Sequence, residues 1–285
     1  MIAIHFEERG TCAHFFKELA TYMASFAPLG FGGAVENQGN HLITVRYENH
    51  DVDFYDSFHP FLASIFADYV IETKEDAWLI EIAEELFYFT DAEEQQQIVA
   101  IAQSILQGDR KGIPSMKPHF DRRAFLYGAF AAHLDPETTF YYEPFLTFRL
   151  KEYGEVLIDC MELAIDEYLM EQDYQTMIEN LRHYIRLTPA QRPMVHIIHD
   201  GMFSFYDEHF RKLTPDEMEY YVKQELVFET NLDLSEMVIS PLVSMAPGHV
   251  HVFTNEPDDS IILSIQSIFQ ERLSIFPLHQ GQKQS

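Results

Sequence analysis

The strongest constraint on the fold is a stretch of about 45 residues, Glu143 to Leu187, that holds a single glycine, Gly154. Apolar residues fall at Leu146, Leu150, Tyr153, Leu157, Cys160, Ala164 and Tyr168, and resume at Tyr174, Ile178, Leu181 and Ile185. Spacings of three and four place them on one stripe of a helix. The stripe reads as packed core; the alternative is a cofactor groove or a partner's docking site. At ~1.5 Å per residue a single rod would be roughly 68 Å long. A compact chain of this length has a radius of gyration of roughly 19 Å and a diameter of about 50 Å. The apolar face also drifts by roughly 70° between the two groups, at ~100° per residue. These magnitudes predict a break or bend between Tyr168 and Tyr174, at the polar run Glu171-Gln172-Asp173.

The 285 residues allow one large domain or two modest ones, and with 47% apolar residues a substantial core is within reach. The 19 basic residues against 46 acidic ones leave a net charge of −27. That charge opposes binding to nucleic-acid backbones and to anionic membrane surfaces, and is compatible with a basic protein partner. Cys12 and Cys160 are far apart, and Cys160 lies on the helical stripe, so a buried thiol is expected there rather than a disulfide or a ligand. No basic segment followed by an apolar run and a cleavage site is visible near Met1, and the longest apolar passage, Ala124 to Leu134, is too short to span a bilayer. The expected location is the cytoplasm.

Along the chain, Ile2–Phe6 reads as a strand, and Thr11 as the cap of a helix reaching about Phe26. Ala34–Asn37 and His41–Tyr47 read as a hairpin turned at Gly39. Helices follow, with faces at Phe58, Leu62, Phe66 and Val70, and then at Trp78, Ile82, Leu86 and Phe87. Asp91 is positioned to cap a further helix that Gly108 stops. A connector, Asp109–Arg123, leads to a short helix over Ala124–His133. Beyond Pro193 the pattern changes: a strand Val195–His199, a mate Phe203–Phe210, and a helix begun by Thr214-Pro215-Asp216-Glu217. A helix from about Leu234 to Ser244, a strand His249–Thr254, a helix Asp258–Gln270, a strand Leu273–Phe276 and a frayed tail from Gln280 complete the reading.

Candidate chemistry is sparse. His249 and His251 share one face of a strand, and His196 from a neighbouring strand completes a possible three-histidine metal cluster. His196 and His199, three apart, point to opposite faces. No Glu-x-x-His pair supports a di-iron carboxylate site, and no His-Glu-x-x-His, Gly-x-Ser-x-Gly or Walker-type loop is present. Gly30-Phe31-Gly32-Gly33 follows a helix instead of a strand, so it reads as a turn and not a phosphate cradle. The one basic cluster is Arg110, Lys111, Lys117, Arg122 and Arg123. It reads as a solvated linker or a clip onto the protein's own acidic helices; gripping a phosphate or an acidic partner loop is the functional alternative.

One resemblance emerges from longer blocks. Phe145-Leu146-Thr147-Phe148-Arg149-Leu150 opens a helical region containing Asp166-Glu167-Tyr168, Leu181 and Tyr184. Leu242-Val243-Ser244-Met245-Ala246-Pro247, a strand, and Ile268-Phe269 followed by Arg272 come downstream. In this order the blocks resemble the YtxC family, described as sporulation proteins of endospore-forming bacilli, over about Leu42 to Arg272. The resemblance implies a role connected with spore formation and brings no catalytic residues with it.

The reading is therefore α+β: a helical middle region (54–190) flanked by a small β-α-β-β unit (1–53) and a C-terminal α/β part (191–279), whose strands could share a sheet, and then a tail (280–285). The preferred function is a non-enzymatic cytoplasmic sporulation protein acting through contacts with an unknown protein partner, with no cofactor, nucleic acid or membrane. The alternative is a metal-dependent hydrolase or metal-binding enzyme using His196, His249 and His251.

Overall fold

The computed structural model describes residues 1–27, 33–47, 53–108, 121–222 and 238–281. The chain divides into two compact units, Met1–Tyr168 and Leu169–Ser285.

The first unit opens with strand β1 (Ile2–His5), helix α1 (Arg9–Phe26) and the hairpin of β2 (Gly33–Gln38) and β3 (Leu42–Tyr47). Ile2 and Ile4 are buried while Ala3 and His5 are half-buried, the alternation of a strand with one packed face. Gly39 at φ 68° and Asn40 at φ 64° are left-handed within the three-residue loop that joins Gln38 to Leu42. Helix α1 begins three residues earlier than the sequence suggested: Glu8 is the N-cap, and the Thr11 hydroxyl inside the first turn donates to the Glu8 carboxylate at 2.9 Å. Of the glycine run, residues 30–32 lie outside the described residues and Gly33 starts β2.

Four helices follow: α2 (Phe58–Thr73), α3 (Glu75–Glu85), α4 (Ala92–Gln107) and α5 (Arg122–Ala131). The start and stop of α4 follow the local chemistry. The Asp91 carboxylate accepts from the amides of Glu93 and Glu94 at 2.9 and 3.0 Å, and Gly108 ends the helix at φ 76°. A three-residue strand, β4 (Thr139–Tyr141), then pairs parallel to β1, giving the sheet order β2-β3-β1-β4. It was not foreseen, because three residues carry no readable alternation. Phe140 holds it by packing into an aromatic cluster in which Phe15, Phe66, Phe130 and Phe145 stack in sequence at centroid distances of 4.5, 4.9 and 4.5 Å.

The organising stretch folds as α6 (Tyr142–Arg149) and α7 (Lys151–Leu187). The helix is interrupted at Leu150, and α7 runs through Glu171-Gln172-Asp173 without the break that the sequence reading allowed there. The drift of the apolar face is accommodated differently. Tyr153, Leu157, Cys160, Ala164 and Tyr168 enter the core of the first unit, whereas Met177, Ile178, Leu181 and Ile185 enter that of the second. Each stripe faces its own core. Both cysteines are buried free thiols, and burial pushes the Cys160 thiol up to about 12.

The second unit adds β5 (Met194–His199), β6 (Phe203–Tyr206), α8 (Pro215–Val222), α9 (Ile239–Met245), β7 (His249–Phe253), α10 (Ser260–Phe269), β8 (Leu273–Phe276) and α11 (Leu278–Gly281). Its sheet has the order β6-β5-β7-β8, so the two ends of the chain each build a four-stranded sheet of their own and do not share one. Strands β5, β7 and β8 are parallel, and β5 is buried on both faces as a central parallel strand should be. Val195, Ile197, Val250 and Val252 pack toward α10 and α7, while Ile198, Phe253 and Leu278 form a cluster of their own. At α8, Thr214 and Glu217 form a reciprocal capping box, with Thr214 N donating to the Glu217 carboxylate at 2.8 Å and Thr214 Oγ1 accepting from Glu217 N at 3.3 Å. Of the helix predicted from about Leu234, residues 234–237 lie outside the described residues and Ile239–Met245 are helical. The frayed tail begins later than expected: Gln280 and Gly281 belong to α11, and Gly281 is buried so close to Phe253 that a Cβ would lie 2.7 Å from its ring.

A charge sits inside the first unit. Glu75, only 1% exposed at the start of α3, accepts from the Arg122 guanidinium and, at 2.9 Å, from the Tyr153 hydroxyl. Burial pushes this carboxyl up, while Arg122 and the Tyr153 hydroxyl pull it down. A carboxyl with a raised folded-state pKa stabilises the fold when protonated, and that contribution disappears as pH rises through the folded value. Arg122→Ala strands the carboxylate and should cost about 3–5 kcal/mol. The loss should be larger at pH 8 than at pH 5, where the carboxyl can protonate. Urea unfolding of both chains at the two pH values checks this; equal losses, or none, would contradict a buried ion pair.

Candidate functional site

The histidines singled out from the sequence meet only in part. The β5–β7 register places His196 directly beside His251, with ring centroids 5.2 Å apart. His249 stands at the exposed start of β7, opposite Met194. Among the described residues, no group of three or more His, Cys, Asp or Glu side chains is placed to hold a metal ion. The three-histidine cluster is therefore not assembled. The register accounts for this: His249 lies opposite Met194 at the exposed start of β7, and His196 stacks on Phe210 at 3.9 Å.

Phe210 reaches that position because the hairpin mate stops at Tyr206, short of the Phe203–Phe210 strand read from the sequence. The Asp207 carboxylate ends it by accepting from the backbone amides of His209 and Arg211 at 3.0 and 2.9 Å and from Arg211 Nε at 3.0 Å. Phe210 then adopts φ 58° and turns over the sheet. A cavity of about 540 Å³ lies here, lined by His196, His209, Phe210, His251, Phe253 and Phe276 among others. His196 is buried and its Nδ1 has no hydrogen-bond partner. Burial, and secondarily the neighbouring His251, pushes the His196 imidazole below its ordinary pKa. His251 is likewise lowered, by burial and by His249. Both shifts favour the neutral imidazole. On the opposite face of the strand, His199 Nδ1 is hydrogen-bonded to the Thr254 hydroxyl at 3.1 Å, and its ring stacks on Phe203 at 4.3 Å.

The basic cluster is also divided. Arg110, Lys111 and Lys117 lie outside the described residues. Arg122 is bound to Glu75, and Arg123 grips the Asp68 carboxylate at 2.6 and 2.8 Å and the Ser64 hydroxyl at 2.6 Å. These two arginines clip α5 to α3 and α2, which is the structural alternative the sequence allowed.

A second concavity takes in Leu146, Leu150 and Leu157 of the stripe that reads as packed core, with a groove as the alternative. A groove of about 520 Å³ opens in the first unit between α3 and the α6–α7 region. Its lining includes Trp78 and Ile82 on α3, and Leu146, Leu150, Gly154 and Ile158 on the other side. Trp78 is the only tryptophan of the chain and is half-buried. A Cβ at Gly154 would meet nothing within 4 Å, so the groove is unobstructed there. The sequence did hold a signal: a glycine within an otherwise regular apolar stripe, at a cost of about 1 kcal/mol relative to alanine in a helix interior.

The fold and these two concavities define an α+β protein with a helical middle, a sheet at each end and no assembled metal centre among the described residues. The chain belongs to the YtxC-like family, whose model matches residues 60–274. It is 35% identical over 219 residues, covering 77% of each chain, to a protein of Bacillus subtilis (strain 168) that carries the name "Uncharacterized protein YtxC". No solved structure matches. Among the described residues, no helix is long and apolar enough to cross a membrane.

The Asp207 turn yields a prediction. Burial alone would raise this carboxyl, but the two backbone amides and the Arg211 side chain outweigh it and hold the group below the ordinary aspartate range. A depressed folded-state value stabilises the fold above the unfolded pKa and ceases to do so as pH falls through the folded one. Asp207→Ala should therefore destabilise the chain by about 1–3 kcal/mol at pH 7. The gap from the native chain should narrow toward pH 3. Chemical denaturation across that range checks it, and a gap independent of pH would contradict the assignment.

Proposed function

We propose that the chain is a non-enzymatic protein that supports spore formation in the cytoplasm through contact with another protein. The link to sporulation rests on the block resemblance described in the sequence analysis. The observation that carries the contact is the apolar groove between α3 and α6–α7, which is open to solvent and is lined by the half-buried side chains of Trp78, Ile82, Leu146 and Ile158. Open apolar surface costs free energy in water and is a common mark of a docking site. The histidine face of the second unit gives less support to an enzyme. Phe210 stacks on the His196 ring, and the nearby Asp207 is engaged by Arg211.

Gly154→Leu offers a direct test. The substitution fills the groove without touching the core, and it should raise helix propensity by roughly 0.7–1 kcal/mol. Native and variant chains, tagged, would be used to recover partners from sporulating cells. A protein retained by the native chain and reduced at least tenfold (about 1.4 kcal/mol) by the variant, with an undiminished melting temperature, is the expected result. Retention unaffected by the variant, or no partner on the native chain, would overturn the proposal.

A further inference from the structure

Resting on that reading of the groove, we propose the chemistry of its occupant: a basic amphipathic helix supplied by the partner protein. The first argument is shape. Lys74, Trp78 and Ile82 recur at intervals of four along one wall, and Leu150, Gly154 and Ile158 do so along the other. Each wall therefore extends over two helical turns, about 12 Å at ~1.5 Å per residue. An apolar track of this kind suits a helix read at positions i, i+3 or i+4, and i+7. A small-molecule site more often converges polar groups on one point.

The second argument is charge. Three carboxylates line the groove, Glu81 on α3, Glu143 on α6 and Glu155 on α7, and further exposed acids lie along the same helices at Glu84 and Glu85 and at Glu152 and Asp159. Glu81 with Glu85, and Glu155 with Asp159, are four residues apart on the same helix, where like charges repel. A ligand with Lys or Arg flanking its apolar stripe relieves this repulsion and is drawn toward a chain of net charge −27. Two lysines among the liners, Lys74 and Lys151, run against the prevailing sign and match one or two acids in an otherwise basic helix. Gly154 adds a close approach: lacking a side chain, it lets a docked backbone come nearer than any other residue would.

The single tryptophan makes the groove its own reporter. The probe is a synthetic peptide of about 18 residues, long enough for helix formation, without tryptophan, carrying leucines in a helical stripe and lysines elsewhere. One control has the same composition with the leucines dispersed; a second keeps the stripe and replaces lysine by glutamate. Added to the full chain, the striped lysine peptide should shift Trp78 emission to shorter wavelength in a saturable manner. Its affinity should fall at least tenfold for Gly154→Leu, about 1.4 kcal/mol, and the dispersed and glutamate peptides should bind at least tenfold more weakly than the probe. No change in emission, an equal response to the dispersed peptide, or undiminished binding by Gly154→Leu would overturn the proposal. So would sedimentation showing a dimer whose dissociation exposes Trp78, because a second copy would then be the occupant. Preference for the glutamate peptide would refute the basic helix while leaving the docking reading intact. Failure of every peptide, together with partner retention by Gly154→Leu in cells, would remove both.

Discussion

The first unit depends on a carboxylate that has almost no water around it. Glu75 is buried at the start of α3, and Arg122 of α5 and Tyr153 of α7 complete its surroundings. Burying an ionised carboxyl costs several kcal/mol, and the site tolerates this only because a cation and a hydroxyl donor meet it. The consequence is positional. The start of α3 is held against α7, and three residues further along α3 comes Trp78, which faces the groove. The groove walls are thus set by a directional polar contact as well as by apolar packing, which alone would allow the helices to slide.

Helix α7 shows how one sequence pattern can serve two cores. Its first stripe closes the core of Met1–Tyr168 and its second that of Leu169–Ser285. The argument from length and face drift correctly found that one face could not remain in one core along the whole stretch. The helix nevertheless continues through the polar run without a break. Glu171, Gln172 and Asp173 are polar and compatible with helix, and none of them is a breaker. The interruption falls instead at Leu150, where the chain passes from α6 to α7.

What could be read in advance follows from how local each signal is. Asp91 and Gly108, the Thr214–Glu217 box and the Gly39 turn act on backbone groups a few residues away, and the structure uses them as read. Strand β4 and the early end of β6 depend on distant partners: Phe140 on the aromatic cluster, and Asp207 on amides that its own side chain recruits. The histidines were placed on the correct strands, and the parallel register brought two of them together, but the stacking of Phe210 on His196 follows from a left-handed residue that composition does not reveal. The groove stayed an alternative to core for a different reason. Leu146, Leu150 and Ile158 look the same in sequence whether they face a core or an open cleft, and only the position of a neighbouring helix decides.

The central claim is that this groove is the working surface of the protein and that a partner's helix occupies it. Site-specific photo-crosslinking tests it most directly. A benzophenone amino acid would replace Ile82 in the groove or, as a control, the exposed Met202 in the second unit, in the full chain during sporulation. The account predicts an adduct from position 82 and not from 202, with the attachment mapped by mass spectrometry to a lysine- or arginine-rich amphipathic helix of one protein. Equal adducts from both positions, an attachment to a second copy of the chain, or none from position 82 would contradict it.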